Sequence, residues 1–224
     1  MHLPANAIYD LARDVPGERI LLIMLPGAKN TPQQLAGHGF IRAVRVRKLA
    51  VDVLALDAHV DLYLDRVQIE RMLHKTLDAA AAHGYRRIWL LGISLGGTGA
   101  MLCATQRTAE IEGIFLLAPF MGTRGMIAEV EAAGGLRHWL PGGIDSCDQE
   151  RVLLEQIKLA VFDADDFPAI YLGYGNEDRY RGASIMLAEH LPQDQVSVMS
   201  GGHDWDTWVR LWGELLDRSS ALHR

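Results

Sequence analysis

Cysteine is nearly absent from this chain: 224 residues hold two, Cys103 and Cys147. Two thiols so far apart match no zinc-ligand spacing and build no disulfide framework. That excludes a small disulfide-stapled secreted domain and makes a reducing cytoplasm the expected setting. Positive charge is short as well. Lys and Arg total 22 against 28 Asp and Glu, a formal net charge of -6 with no basic run, which argues against a nucleic-acid partner. No apolar run approaches the roughly 20 residues that cross a bilayer, so no membrane partner is expected. Met1-His2-Leu3-Pro4-Ala5-Asn6 lacks both the basic and the long apolar part of a signal peptide. Clustered carboxylates and His-x-x-x-His are missing too, so neither a metal nor a cofactor is expected. What remains is 49% hydrophobic and 22% charged, the composition of an ordinary globular protein. Residues 1–224 suffice for one domain with a sizeable core.

Six short apolar segments run through it: residues 19–25, 51–56, 87–93, 114–118, 169–173 and 196–199. Several are apolar on both faces, as central parallel strands are. Helical patterns lie between them, so the expected fold class is α/β, a doubly wound, mostly parallel six-stranded sheet. Residues 1–18 carry no periodic signal and are expected to wrap the surface. Thr31-Pro32-Gln33-Gln34 has the N-cap, first-position proline and third-position glutamine of a helix start. Residues 65–83 form an amphipathic helix stopped by Gly84. Residues 204–218 place Trp205, Trp208, Val209, Trp212, Leu215 and Leu216 on one stripe, which reads as core rather than as a binding platform. The segment 121–167 breaks the rhythm, being longer than one crossover needs. Its helix-like pieces, 123–133 and 148–162, are parted by Gly134-Gly135 and Pro141-Gly142-Gly143. A helical cap inserted over a site accounts for it; plain helical packing on the sheet accounts for it equally.

The informative stretch is Arg87-Ile88-Trp89-Leu90-Leu91-Gly92-Ile93-Ser94-Leu95-Gly96-Gly97-Thr98-Gly99-Ala100. A buried strand stops at Gly-x-Ser-x-Gly and turns at once into a helix of small residues. The five-residue pattern alone is weak; the strand before it and the helix start after it make it mechanical. Glycines at 92 and 96 remove the Cβ atoms that would collide where strand and helix pass. Ser94 is left at a helix N-terminus, where free N–H groups favour negative charge. Serine is a poor nucleophile at neutral pH and needs a base in hydrogen-bond reach, which needs an orienting carboxylate. Later strands supply both. The fifth runs into Gly173-Tyr174-Gly175-Asn176-Glu177-Asp178-Arg179, and the sixth into Ser200-Gly201-Gly202-His203-Asp204-Trp205.

On these motifs the chain resembles the α/β-hydrolases, as a small serine esterase-like member, over nearly everything from residue 19 to residue 218. Gly92-Ile93-Ser94-Leu95-Gly96 matches that family's nucleophile elbow. Gly175-Asn176-Glu177-Asp178 matches its acid turn, and Gly201-Gly202-His203-Asp204-Trp205 is similar to its histidine loop. The serine, acid, histidine order also agrees. The resemblance implies Ser94 as nucleophile, Asp178 as orienting acid and His203 as base, with the N–H groups of Ala28 and Leu95 as oxyanion hole. Neighbouring first and third strands would bring Ala28 beside Leu95. The antiparallel hairpin that often opens the family's sheet has no counterpart in the sequence. Leu-Pro-Gly stands where His-Gly is commoner.

Rivals exist for each role. Glu177 adjoins Asp178, Asp204 reads better as the cap of the last helix, and His59 follows a strand end as a satisfied loop residue. His138 lies in the 121–167 segment. Phe120 and Met121, with Met126 and Ile127, are candidates to line a substrate pocket, although Met at helical spacing is also ordinary core. The expected activity is hydrolysis of a small-molecule carboxylic ester through an acyl-enzyme. The same residues would serve a thioesterase or an acyltransferase, and the same fold could hold a small molecule without catalysis.

Overall fold

The computed structural model describes residues 6–13, 15–16, 18–143, 145, 148–163 and 166–223. Cys147 lies outside them. In chain order the elements are β1 (Ile8–Asp10), β2 (Ile20–Leu25), α1 (Pro32–Gly37), α2 (Phe40–Val46), β3 (Val51–Ala55), α3 (Val60–Leu64), α4 (Arg66–Ala82), β4 (Arg87–Ile93) and α5 (Leu95–Gln106). There follow β5 (Gly113–Leu117), α6 (Arg124–Ala132), α7 (Gln149–Asp163), β6 (Ala169–Gly175), α8 (Arg181–Ala188), β7 (Val196–Met199) and α9 (Trp205–Arg218).

One sheet of order β1-β3-β2-β4-β5-β6-β7 carries the molecule, parallel except for β1. All six residues of β2 are buried, because this strand lies between β3 and β4 with helices over both faces. Its side chains alternate between two cores. Leu21, Ile23 and Leu25 join α3 to α8 on one face; Ile20, Leu22 and Met24 join α1, α2 and α9 on the other. The alternation is the period-2 geometry of a strand. A sheet buried on both sides therefore reads as unbroken apolar sequence.

The sheet has seven strands, not six. Ile8–Asp10 pairs antiparallel with β3 through Ile8 with Ala55, Tyr9 with Leu54 and Asp10 with Val53. Three residues are too few to show a period, and what secures them lies elsewhere in the chain. Buried Asp52 accepts hydrogen bonds from the N–H of Ala12 at 2.7 Å and the hydroxyl of Tyr85 at 2.6 Å. Tyr85 in turn hydrogen-bonds Tyr9 through their hydroxyls.

The helix signals hold closely. Thr31 and Gln34 make a reciprocal capping box at α1, Asp65 caps α4 and Asp204 caps α9. On α9, Trp208, Leu211, Trp212, Leu215 and Leu216 are buried. Val209, expected on that stripe, is 38% exposed; its position turns it just off the sheet-facing side. Trp205 is half-buried and stacks on His38.

Between β5 and β6, α6 and α7 extend the first core: Met126, Ile127, Val130, Leu153, Leu154 and Ile157 are all part of it. Glu129 ties them together, accepting from Trp139 Nε1 at 2.9 Å and pairing with Arg151.

Candidate active site

The turn after β4 is strained. Ser94 has φ +51° and ψ -117°, a conformation that costs a non-glycine residue on the order of 1–3 kcal/mol and persists only where its surroundings impose it. Here they do. The Ser94 N–H donates to Leu117 O at 3.0 Å, and Ser94 O accepts from Gly97 and Phe120, each at 2.9 Å. A Cβ on Gly92 would stand 2.5 Å from Gly96 O and 2.6 Å from Gly97 Cα, and one on Gly96 would stand 2.7 Å from Pro26 O. Strand, helix and the loop after β2 thus meet too closely for any side chain at either glycine.

Ser94 Oγ lies 2.9 Å from His203 Nε2, and His203 Nδ1 lies 2.7 Å from Asp178 Oδ2. A carboxylate only accepts, so Nδ1 carries the imidazole proton and Nε2 is left to accept from the Ser94 hydroxyl. Asp178 is 1% exposed. Its other oxygen accepts from the Tyr180 N–H at 2.7 Å, so both oxygens are held. The loops that carry the two residues interlock: Asn176 N–H donates to Met199 O at 2.9 Å and Glu177 N–H to Gly201 O at 3.0 Å. A Cβ on Gly175 would meet the Gly201 carbonyl carbon at 2.7 Å. The imidazole stands edge-on between the rings of Tyr180 and Trp208, each with centroids 5.0 Å away. Edge-to-face contacts of this kind fix a ring's plane.

Ala28 lies in the loop after β2 and Leu95 is the first residue of α5. Leu25 pairs with Gly92, and a Cβ on Gly27 would lie 3.4 Å from Ser94 Cβ. The loop is held down by Tyr63, whose buried hydroxyl donates to Pro26 O at 2.7 Å; burial pushes that phenol well above its ordinary pKa.

Beside the elbow is a pocket of about 120 Å³ lined by Leu95, Thr98, Phe120, Met121, Leu153 and Tyr63, among others. Phe120 and Met121 are thus both at the pocket, and Met121 is fully buried. Thr98 donates to Phe120 O. Over the pocket, Glu150 of α7 accepts from Thr123 N–H at 3.0 Å and its hydroxyl at 2.9 Å, and Arg66 reaches Gln156 at 3.0 Å. Tyr63, Leu153, Tyr180 and Trp208 had no sequence signal tying them to a site, since each sits on an element whose neighbours are set by the sheet.

The rivals lie apart. His59 is exposed ahead of α3, and Glu177 is exposed and accepts from Ser200 Oγ at 3.1 Å. His138 is exposed. Asp204 accepts from the Thr207 N–H at 2.9 Å, which holds its carboxyl below the ordinary range. Cys103 is buried on α5, and desolvation pushes its thiol up to about 12. Among the described residues, no group of three or more His, Cys, Asp or Glu could hold a metal ion, and no helix is long and apolar enough to cross a membrane.

No family model matches the sequence, and no curated protein matches it. Solved structures do. The S-formylglutathione hydrolase FrmB of Staphylococcus aureus superposes with a TM-score of 0.67 at 14% identity, over 91% of this chain and 81% of that one. FphF, a fluorophosphonate-binding serine hydrolase of the same organism, gives 0.64 at 15%, over 92% and 85%. Est1E of Butyrivibrio proteoclasticus gives 0.61 at 17%, over 96% and 94%. The chain has the α/β-hydrolase fold. In α/β-hydrolase terms β1 is an antiparallel edge strand, and the loops after β2, β4, β6 and β7 converge at the carboxyl edge of the sheet. That edge is where open α/β sheets place their ligands.

Proposed function

We propose that this protein is a serine hydrolase that cleaves a carboxylic ester through an acyl-enzyme. The observation that carries the reading is the 2.9 Å contact between Ser94 Oγ and His203 Nε2, backed by the 2.7 Å contact of Nδ1 with buried Asp178. His203 takes the Ser94 proton as Oγ attacks the carbonyl carbon. The N–H groups of Ala28 and Leu95 receive the oxyanion, each worth on the order of 3 kcal/mol if aimed at it. The imidazolium, steadied by Asp178, protonates the leaving alcohol. Water, deprotonated by the same nitrogen, then releases the acid and frees Ser94.

In this reading the acyl group occupies the apolar pocket against Phe120 and Met121, and residues 121–167 form a cap over it, latched by Glu150 and Arg66. The low cysteine content supports a cytoplasmic setting.

A fluorophosphonate probe tests the proposal. The wild-type protein is labelled, and Ser94→Ala is not, while its circular dichroism is unchanged. A chain-length series of p-nitrophenyl esters run beside acyl-thioesters then sets the acyl length and separates ester from thioester. Rates fall in acid, where a protonated imidazole cannot accept the serine proton. An unlabelled wild-type protein would refute the hydrolase reading.

A further inference from the structure

A second depression opens on the other side of Phe120. It has a volume of about 180 Å³, and Phe120 and Tyr180 form its inner wall. Phe120 also lines the apolar pocket, so one ring divides the two. Tyr180 packs against the His203 imidazole. Tyr180 thus links the depression to the candidate catalytic imidazole.

Its chemistry is opposite to that of the apolar pocket. Arg124, at the first position of α6, and Arg179, next to Asp178, both line it. Neither guanidinium pairs with a carboxylate among the described residues; Arg179 lies 4.8 Å over the Tyr180 ring and has no other partner there. Eight other arginines do hold a carboxylate: Arg19, Arg45, Arg47, Arg66, Arg87, Arg107, Arg151 and Arg218. The single acid in the lining is Glu131, two turns along α6, set against Gly182 rather than against either arginine. The depression is left with an excess of one positive charge in a protein of formal charge -6.

We propose that this depression is a binding subsite for an oxyanionic group, carboxylate or phosphate, at the end of the substrate that does not enter the apolar pocket. Guanidinium forks suit such groups because two N–H donors meet two oxygens. Tyr180 holds the Arg179 guanidinium over its ring at the lining of the depression. The substrate is then an amphiphilic ester, apolar on one side of Phe120 and anionic on the other. This deepens the ester-hydrolase reading and rests on it for the position of the scissile bond.

The test separates the two. Ser94→Ala protein is titrated calorimetrically with three butyrate esters whose phenols leave with similar ease, bearing 4-carboxymethyl, 4-carbamoylmethyl and 4-phosphonomethyl groups. The two anions are expected to bind about tenfold tighter than the amide at low salt, and the preference shrinks as NaCl is raised. A stronger preference for the phosphonate assigns phosphate; equal or weaker assigns carboxylate. Arg124→Gln and Arg179→Gln in that background each reduce the preference to about threefold, and together they abolish it. Glu131→Gln enlarges it, and Arg86→Gln, at the opposite edge of the sheet, leaves it unchanged. Equal binding of all three esters, or a preference that survives both arginine substitutions, would overturn the subsite. Fluorophosphonate labelling is read in parallel: a labelled protein without the preference loses the subsite alone. An unlabelled protein that keeps it loses the hydrolase reading alone.

Discussion

Two buried carboxylates stand at opposite edges of the same sheet and look alike locally. Asp178 is 1% exposed and Asp52 is 3% exposed. Each accepts a backbone N–H at 2.7 Å on one oxygen, and each holds a ring group on the other, His203 Nδ1 at 2.7 Å or the Tyr85 hydroxyl at 2.6 Å. Asp52 has in addition the Arg19 guanidinium at 3.4 Å; the difference that matters for chemistry is the next partner. Beyond His203 comes the hydroxyl of Ser94, on a strained turn beside a pocket; beyond Tyr85 comes Tyr9, on an edge strand. The proton chemistry diverges accordingly. Burial, then hydrogen bonds to Asp52 and Tyr9, push the Tyr85 phenol far above its ordinary pKa, so that hydroxyl stays protonated and serves as a fixed strut. An imidazole can hold or release a proton near neutrality. A buried, fully hydrogen-bonded acid is thus not in itself a sign of catalysis; the group it orients decides.

Substitutions on the two sides should separate cleanly. The largest effect belongs to Ser94→Ala and His203→Ala, each expected to lower kcat/KM for an ester by about 10⁵- to 10⁶-fold with little change in Tm. Asp178→Asn follows, at about 10³- to 10⁴-fold, because an amide holds the imidazole in the wrong tautomer. Asp52→Asn does the reverse: kcat/KM stays within about twofold while stability falls by about 1–3 kcal/mol, read as a Tm lower by several degrees in thermal denaturation. A loss of activity in Asp52→Asn comparable to that in Asp178→Asn would break the contrast.

Smaller effects sharpen it. Asp204→Ala, adjacent to the histidine yet only a helix cap, is expected to cost about 1 kcal/mol of stability without affecting the acyl transfer steps. Its carboxyl is held below the ordinary range by the Thr207 N–H. A folded-state pKa below the unfolded one means the stabilisation is present at neutral pH and is lost as pH falls through the folded value. Urea midpoints measured from neutral to acid should therefore converge for wild type and Asp204→Ala. The smallest effect is that of Tyr9→Phe, about 0.5–1.5 kcal/mol, confined to faster amide exchange in β1.

How much of this was legible in the sequence follows from how local each signal is. The elbow was fully legible, since Gly92 and Gly96 are dictated by contacts made within one turn and with the strand beside it. Asp178 and His203 were legible as residues just past strand ends, and Asp204 was separable from them because an N-cap has its own pattern ahead of the Trp208 stripe. The strand Ile8–Asp10 was not legible: its hydrogen bonds come from β3, and its anchor is Asp52 through Tyr85, all remote in sequence. Val209 was misplaced because a stripe read by spacing is wider than the face that the sheet covers. The second depression was hidden for the same reason as β1, since Arg124 and Arg179 meet only after β5 and β6 pair. The segment 121–167 left two readings open in sequence; α6 and α7 pack into the core, and Glu150 and Leu153 of α7 also line the pocket.

The most direct test of the central claim is intact and peptide mass spectrometry of protein mixed with a p-nitrophenyl ester and quenched in acid within the first turnovers. The account predicts a mass increase equal to the acyl group, located on the peptide that contains Ser94 and absent from Ser94→Ala. Steady release of product with no adduct, or an adduct on another residue that survives in Ser94→Ala, would contradict it.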